Sequence, residues 1–256
     1  SLKSDRSVVT KADKSVECFL RRHLVNGNED VYFIGEESAG RYTNKQLSEF
    51  LKKGVIWIVD PIDATANFAV GKTFWGISIA YAVDGVIREG GVFIPETNSM
   101  LISDNGKTFY TNVKNKSIKA KLDSLVFLSK PAKKFSDASH VSFSQKAAKR
   151  MLFDGPNQFV STGCCLYCGM NLALGLDSVY TTMARLWDFA GFLPSLSNLG
   201  FASINRSGKK LISCRISDDL YFLDVKSDNA FMVREPNWIG ISPHAVQTVR
   251  SEERRV

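Results

Sequence analysis

The sequence predicts an α+β chain in which an antiparallel sheet comes first and an α/β layer structure follows. Two hairpin signals carry the first half: Asp84-Gly85 separates "WGISIAYAV" from "VIREGGVFI", and Asn105-Gly106 separates "SMLIS" from "KTFYTN", the turn chemistry of two-residue β-hairpins. Beyond residue 128, apolar runs of helical length alternate with short strand-like runs, the order expected of stacked helix and sheet layers.

Taken in order, Val16, Phe19, Leu20 and Leu24 recur at helical spacing and predict a first helix with these residues inward. "VYFIGEES" reads as a strand running into acids. "NKQLSEFLKKG" predicts a short amphipathic helix with Gly54 as its C-cap, feeding the strand "VIWIVD". After the two hairpins comes one more strand, "SLVFLS", between the polar segments "VKNKSIKAKLD" and "KPAKKFSDASH". The division is placed there, with residues 1–127 as an N-terminal α+β half and residues 128–256 as a C-terminal α/β half. In the second half "FSQKAAKRML", "GCCLYCGMNLALG" and "WDFAGFLPSLSNLG" predict helices, and "DSVYTT", "GFASI" and "DLYFLDV" predict strands.

A chain of 256 residues with 44% hydrophobic and 23% charged residues can bury a sizeable core, and this composition argues against disorder. The longest apolar run, "FWGISIAYAV", is too short to cross a bilayer, and the polar opening "SLKSDRSVVTKADKS" has no secretory apolar segment. The expected address is the cytoplasm, and no membrane partner is expected. Five cysteines, three of them in "CCLYC", suit reduced thiols better than a disulfide framework. Cys165-x-x-Cys168 lacks the second ligand pair zinc would need, so helix packing is the better reading. The net charge of +7 is concentrated in residues 113–150, where ten Lys or Arg stand against Asp123 and Asp137. Such a block reads first as a solvated face; RNA or an acidic protein partner is the less favoured alternative.

The chemistry is suggested by the acids Glu36, Glu37, Asp60, Asp63 and Asp188. Each stands where an apolar strand meets polar sequence or where a helix begins, so all can gather at one sheet edge. Clustered carboxylates repel one another and call for a cation. Mg²⁺ takes hard oxygen ligands and shares them with substrate phosphate, and two such ions can activate a water and stabilise a leaving oxygen. If "TANF" opens a helical turn, the free N–H groups at Ala64 and Thr65 face a phosphate. Thr10 and Asp13 also resemble a helix capping box.

In this order and at these separations "GEES", "WIVDPIDATANF" and "WDFAG" resemble the three signature segments of the inositol monophosphatase family, and "VVTKADKSVECFL" is similar to its helix-strand opening. The resemblance implies a layered αβαβα sandwich with an antiparallel and a mixed sheet. It also implies hydrolysis of a small phosphate monoester by direct attack of water, dependent on two or three Mg²⁺ and sensitive to Li⁺, in a homodimer. By position it assigns metal ligands to Glu36, Asp60, the Ile62 carbonyl, Asp63 and Asp188, with Asp13 near a weaker third ion. Water activation falls to Glu36 and Thr65, with Asp60 counted in the catalytic group. Phosphate goes to the Ala64 and Thr65 amides, and the substrate side to Asp63, Cys165, Thr181, Arg185 and Asp188. Inositol 1-phosphate or a related sugar-alcohol phosphate is the implied substrate; histidinol phosphate, fructose 1,6-bisphosphate and a nucleotide phosphate are the alternatives, and a non-catalytic RNA- or protein-binding member the second alternative. Four departures stand out: Ala64 where the family has Gly, Thr181 where inositol-specific members have Glu, Arg185 as an added cation, and a family N-terminal helix that would precede Ser1.

Overall fold

The computed structural model describes residues 10–28, 30–112, 119 and 122–255. A seven-stranded sheet runs in sequence order: β1 (Val31–Gly35), β2 (Val55–Asp63), β3 (Gly76–Val83), β4 (Val86–Ile94), β5 (Ser99–Asp104), β6 (Lys107–Thr111) and β7 (Val126–Leu128). It is antiparallel except at one edge, where β1 lies parallel to β2. Both expected hairpins are present, and Asp84, Gly85, Asn105 and Gly106 all have positive φ, as a type I′ turn requires. The second sheet has the order β10 (Gln158–Val160), β8 (His140–Phe143), β11 (Val179–Thr182), β13 (Asn237–Gly240), β12 (Ala202–Asn205) and is mixed. Helices Cys165–Ala173, Leu186–Ala190 and Leu193–Asn198 lie between the sheets, helix Lys11–Val25 belongs to the outer side of the first, helix Asn44–Lys52 packs Leu47 and Phe50 into the core on its inner side, and Pro243–Ser251 covers the second. The layers are thus αβαβα. No described helix is long and apolar enough to cross a membrane.

Several expectations need correction. Phe19 is 60% exposed; the first helix instead buries two acids one turn apart, Asp13 and Glu17, with Val16, Leu20 and Leu24 only half-buried. Glu17 accepts the Glu37 N–H at 2.8 Å and so ties the acidic loop after β1 to this helix. Gly54 is not the C-cap, because helix Asn44–Lys52 ends in extended backbone at Lys53. Its lack of a side chain matters for closeness: a Cβ there would meet the Phe50 carbonyl and the Tyr32 ring at 3.2 Å. "FSQKAAKRML" forms one helical turn, Gln145–Ala148, and then β9 (Met151–Phe153), which pairs with β14 (Glu253–Arg255). "DLYFLDV" forms no strand and makes only a single bridge, Tyr221 to Val233. Residues 113–118, 120 and 121 of the basic block lie outside the described residues.

The irregularity in β2 is what places the acids. Residues three apart on a regular strand point to opposite faces. Here Asp60 pairs with Ser78 and Asp63 with Gly76, so three steps on β2 match two on β3, a β-bulge. Pro61, with no N–H for the ladder, sits in that bulge. The extra residue turns Asp63 back to the side of Asp60.

Candidate active site

The carboxylates of Asp60, Asp63 and Asp188 lie within 4.8 Å of one another. They line a cavity of about 350 Å³ together with Glu36, Ile62, Ala64 and Thr65. Glu36 reaches it because β1 pairs in parallel with β2 and the Glu36 N–H continues that ladder to the Val59 carbonyl at 3.2 Å. Asp188 comes from the far side, in the first turn of helix Leu186–Ala190, and its Oδ2 accepts the Arg185 N–H at 2.7 Å. Asp63 Oδ2 accepts from the Cys164 thiol and the Leu166 N–H, both at 2.9 Å. Asp60 Oδ1 accepts the Ile62 N–H at 3.0 Å, whereas Oδ2 is buried without a donor. The Asp188 carboxylate stands within hydrogen-bond reach of Asp60, but two carboxylates can bond only if one keeps its proton.

Burial and mutual repulsion raise all three. Asp60 is held well above the usual carboxylate range, by burial first and then by the charges of Glu36, Asp63 and Asp188. Asp63 is pushed up to about 6 by burial, against the opposing bonds from Cys164 and Leu166. Asp188 is pushed up to about 7 by burial and the charge of Asp63, against the Arg185 N–H. An acid raised in the folded state binds more protons folded than unfolded, so stability falls as pH rises between the two values. The metal-free protein should therefore melt progressively lower as pH rises from about 4 to about 7. Glu253, also raised to about 7 by burial, adds to this slope from outside the site. A divalent cation that pairs the acids should remove only their share and raise the melting temperature most at pH 8. Melting curves at pH 5 and pH 8, with and without Mg²⁺, check this; equal Mg²⁺ shifts at both values would count against a cation held by the cluster.

Thr65 and Asp13 act together. The Thr65 hydroxyl lies 2.9 Å from Asp13 Oδ1 and 3.0 Å from the Ile62 carbonyl, and Asp13 Oδ2 accepts from the N–H and hydroxyl of Thr10. Asp13, which the resemblance put near a metal, has its two oxygens engaged behind Thr65 and closes the helix capping box as well. Ala64 has φ 64° and ψ 46°, the left-handed region where an L side chain is strained by about 1–2 kcal/mol. Ala64→Gly should therefore stabilise the protein by about 0.5–1 kcal/mol after glycine's larger unfolded-state entropy is counted, read as a rise of about 1–4 °C in melting temperature.

Two expected substrate contacts are not brought to the cavity. Thr181 is fully buried, and its hydroxyl donates to Glu253 Oε1 at 2.9 Å, which also takes the indole N–H of Trp238, the strand partner of Thr181. Strand alternation turns it to the outer face, under helix Pro243–Ser251. Arg185 directs its guanidinium to the carbonyls of Asp228 and Ala230 and over the Trp187 ring at 5.7 Å. Cys165, in contrast, lines a second cavity of about 280 Å³ that adjoins the first across Asp63, Gln145, Gly163 and Asp188. Burial pushes its thiol well above the ordinary range, so it is a neutral wall. The sequence reading missed Asn67, Gln145, Gly163, Lys146, Lys149 and Met183 at these cavities. The lysines were visible only as part of the basic block, whose Lys130 and Lys133 cap the carbonyls of Gly200 and Gly175 just beyond helix ends.

The model of the inositol monophosphatase family matches residues 1–212. The chain belongs to the inositol monophosphatase family. Among family relatives, inositol monophosphatase 3 of Solanum lycopersicum is 33% identical over 107 residues, a stretch covering 42% of this chain and only 38% of that protein. A fructose-1,6-bisphosphatase/inositol-1-monophosphatase of Thermotoga maritima is 25% identical over 207 residues, 80% of this chain and 74% of that protein. The crystal structure of an IMPase/NADP phosphatase complexed with Mg²⁺ and phosphate superposes with TM-score 0.72 at 21% identity, covering 98% of this chain and 84% of that one, a likeness of fold.

Proposed function

We propose that the protein is a Mg²⁺-dependent phosphatase of a small phosphate monoester. The observation that carries this is Asp60 Oδ2, a buried oxygen with no donor amid three carboxylates drawn to within 4.8 Å. Hard, anionic, all-oxygen donors of this kind suit Mg²⁺. Glu36, Asp60, the Ile62 carbonyl, Asp63 and Asp188 would hold two or three ions. When bound, they supply charge stabilisation for the phosphate and a more acidic water.

The chain's own groups do the rest. Thr65, with its proton directed to Asp13 or the Ile62 carbonyl, keeps lone pairs for a water, whose other proton Glu36 is placed to take. Asp13 acts here as a positioning residue for Thr65. The left-handed Ala64 followed by the turn Thr65–Ala69 forms the concavity of N–H groups that suits an anion. Cys165 borders the alcohol side. A reducing cytoplasm, supported by five free thiols, and a homodimer, implied by the family, complete the reading.

The test is phosphate release from inositol 1-phosphate, glycerol 2-phosphate, histidinol phosphate and fructose 1,6-bisphosphate, with Mg²⁺ and with excess chelator. Release that requires Mg²⁺ and declines in millimolar-scale Li⁺ is expected. Undiminished release in chelator would overturn the metal assignment, and no release from any monoester would overturn the phosphatase reading.

A further inference from the structure

We infer that the cleft beside the acid cluster is a subsite for a second anionic group of the substrate, with Lys146 and Lys149 as its cations. This rests on the phosphatase reading and names the substrate class it implies: a compact phosphate monoester that carries a further phosphate or carboxylate.

The two cavities share Asp63, Gln145, Gly163 and Asp188. Carboxylates dominate the first, which holds Glu36 and Asp60. The second has a floor of Cys165, Met183 and Ala184, and Lys146 and Lys149 at its margin. The remainder of a substrate whose phosphate is held at the acids thus has this adjoining cleft to occupy, lined by Cys165, Met183 and Ala184 and by the two lysines.

That margin exists because of the local fold. Ser144 caps the short turn Gln145–Ala148, and its hydroxyl also accepts the Met183 N–H at 3.0 Å, fixing this turn against the end of β11. Lys146 and Lys149 follow on that turn, three residues apart and so on one face. Neutral polyols lack two of the contacts that the resemblance implies for them. The carboxylate expected at position 181 is absent, Thr181 faces away to Glu253, and the Arg185 fork is engaged by loop carbonyls. Lys146 gives one of its three N–H groups to the Met232 sulfur at 2.7 Å, a weak acceptor; together with Lys149 it makes this side of the cleft cationic and favours an anion, and a part-enclosed ion pair is screened less than an exposed one.

The experiment compares kcat/KM for fructose 1,6-bisphosphate and glycerol 2-phosphate in wild type, Lys146→Gln/Lys149→Gln, Lys149→Glu and Lys45→Gln, all with saturating Mg²⁺. Lys45 is exposed on helix Asn44–Lys52, away from the cleft, and controls for net charge. The bisphosphate-to-monophosphate ratio should fall by about 10-fold in the double variant, the scale of two partly exposed ion pairs, and at least as far in Lys149→Glu, with Lys45→Gln unchanged. Melting curves verify folding, and Lys149→Glu at an exposed position gives a second route if the double variant is unstable. Hydrolysis of both substrates with an unmoved ratio would overturn the subsite alone, as would an equal fall in Lys45→Gln. Absence of hydrolysis of either substrate by wild type would overturn the phosphatase reading and the subsite with it.

Discussion

Asp60→Asn is expected to reduce phosphate release by at least about 100-fold, the usual scale for losing a preorganised electrostatic contact at a reacting centre, while the metal-free protein melts higher than wild type. The opposite signs follow from one fact. Asp60 Oδ2 is a buried charge without a donor, facing other carboxylates, which is costly without a cation. An amide there removes the charge and can donate to Asp188. A gain of about 1 kcal/mol would appear as about 2–4 °C in a chain of this size. The neighbouring acids should separate by mechanism. On the proposed roles, Asp188→Asn removes a metal ligand only and should recover part of its activity in excess Mg²⁺, whereas Glu36→Gln also removes the proposed acceptor of the water's proton and should recover less. An Asp60→Asn protein that loses activity and stability together has been disrupted structurally, and the cluster would then not be the strained element described above.

Gly90→Ala should cost about 2–3 kcal/mol, the scale of overpacking a tight interior, and about 100-fold in activity, although residue 90 touches no substrate. Gly90 on β4 and Gly191 just beyond helix Leu186–Ala190 meet backbone to backbone. A Cβ at 90 would overlap the Gly191 carbonyl and lie 3.0 Å from its Cα, and one at 191 would come within 2.7 Å of the Gly91 carbonyl. This contact seats the helix bearing Asp188 on the sheet bearing Asp60 and Asp63. Pushing it away opens the cluster, and displacements near 1 Å are enough for a loss of that size. Gly106→Ala is the control: its φ of 73° makes it strained, but nothing lies within 4 Å of a Cβ there. It should lose stability without losing turnover per folded molecule. Full activity in Gly90→Ala would mean that helix and sheet are registered by other contacts.

The hairpins were legible because Asp84-Gly85 and Asn105-Gly106 demand positive φ, a local requirement written in two residues. The helix Pro243–Ser251 carries a start signal too, Ser242 as cap and Pro243 at its first position, which the sequence reading left unused. Phe19 misled because helical spacing gives a face without saying what covers it, and the covered face here belongs to Asp13 and Glu17, held by hydrogen bonds. Burial of acids cannot be read from hydropathy.

What the sequence by itself determined is the local chemistry: which acids stand at strand ends, that Pro61, with no N–H to give a ladder, stands between two of them, and the order of motifs that marks the family. Only the tertiary structure decided where those groups point. Strand pairing turned Asp60 and Asp63 to one side through a single extra residue, and turned Thr181 away from the cavity through a single step of alternation. A glycine-to-glycine contact between residues about a hundred positions apart in the chain brought Asp188 across to them. Strand faces and backbone approaches depend on partners far away in sequence, and a one-residue change of register reverses a side chain's direction, so no local pattern could specify them.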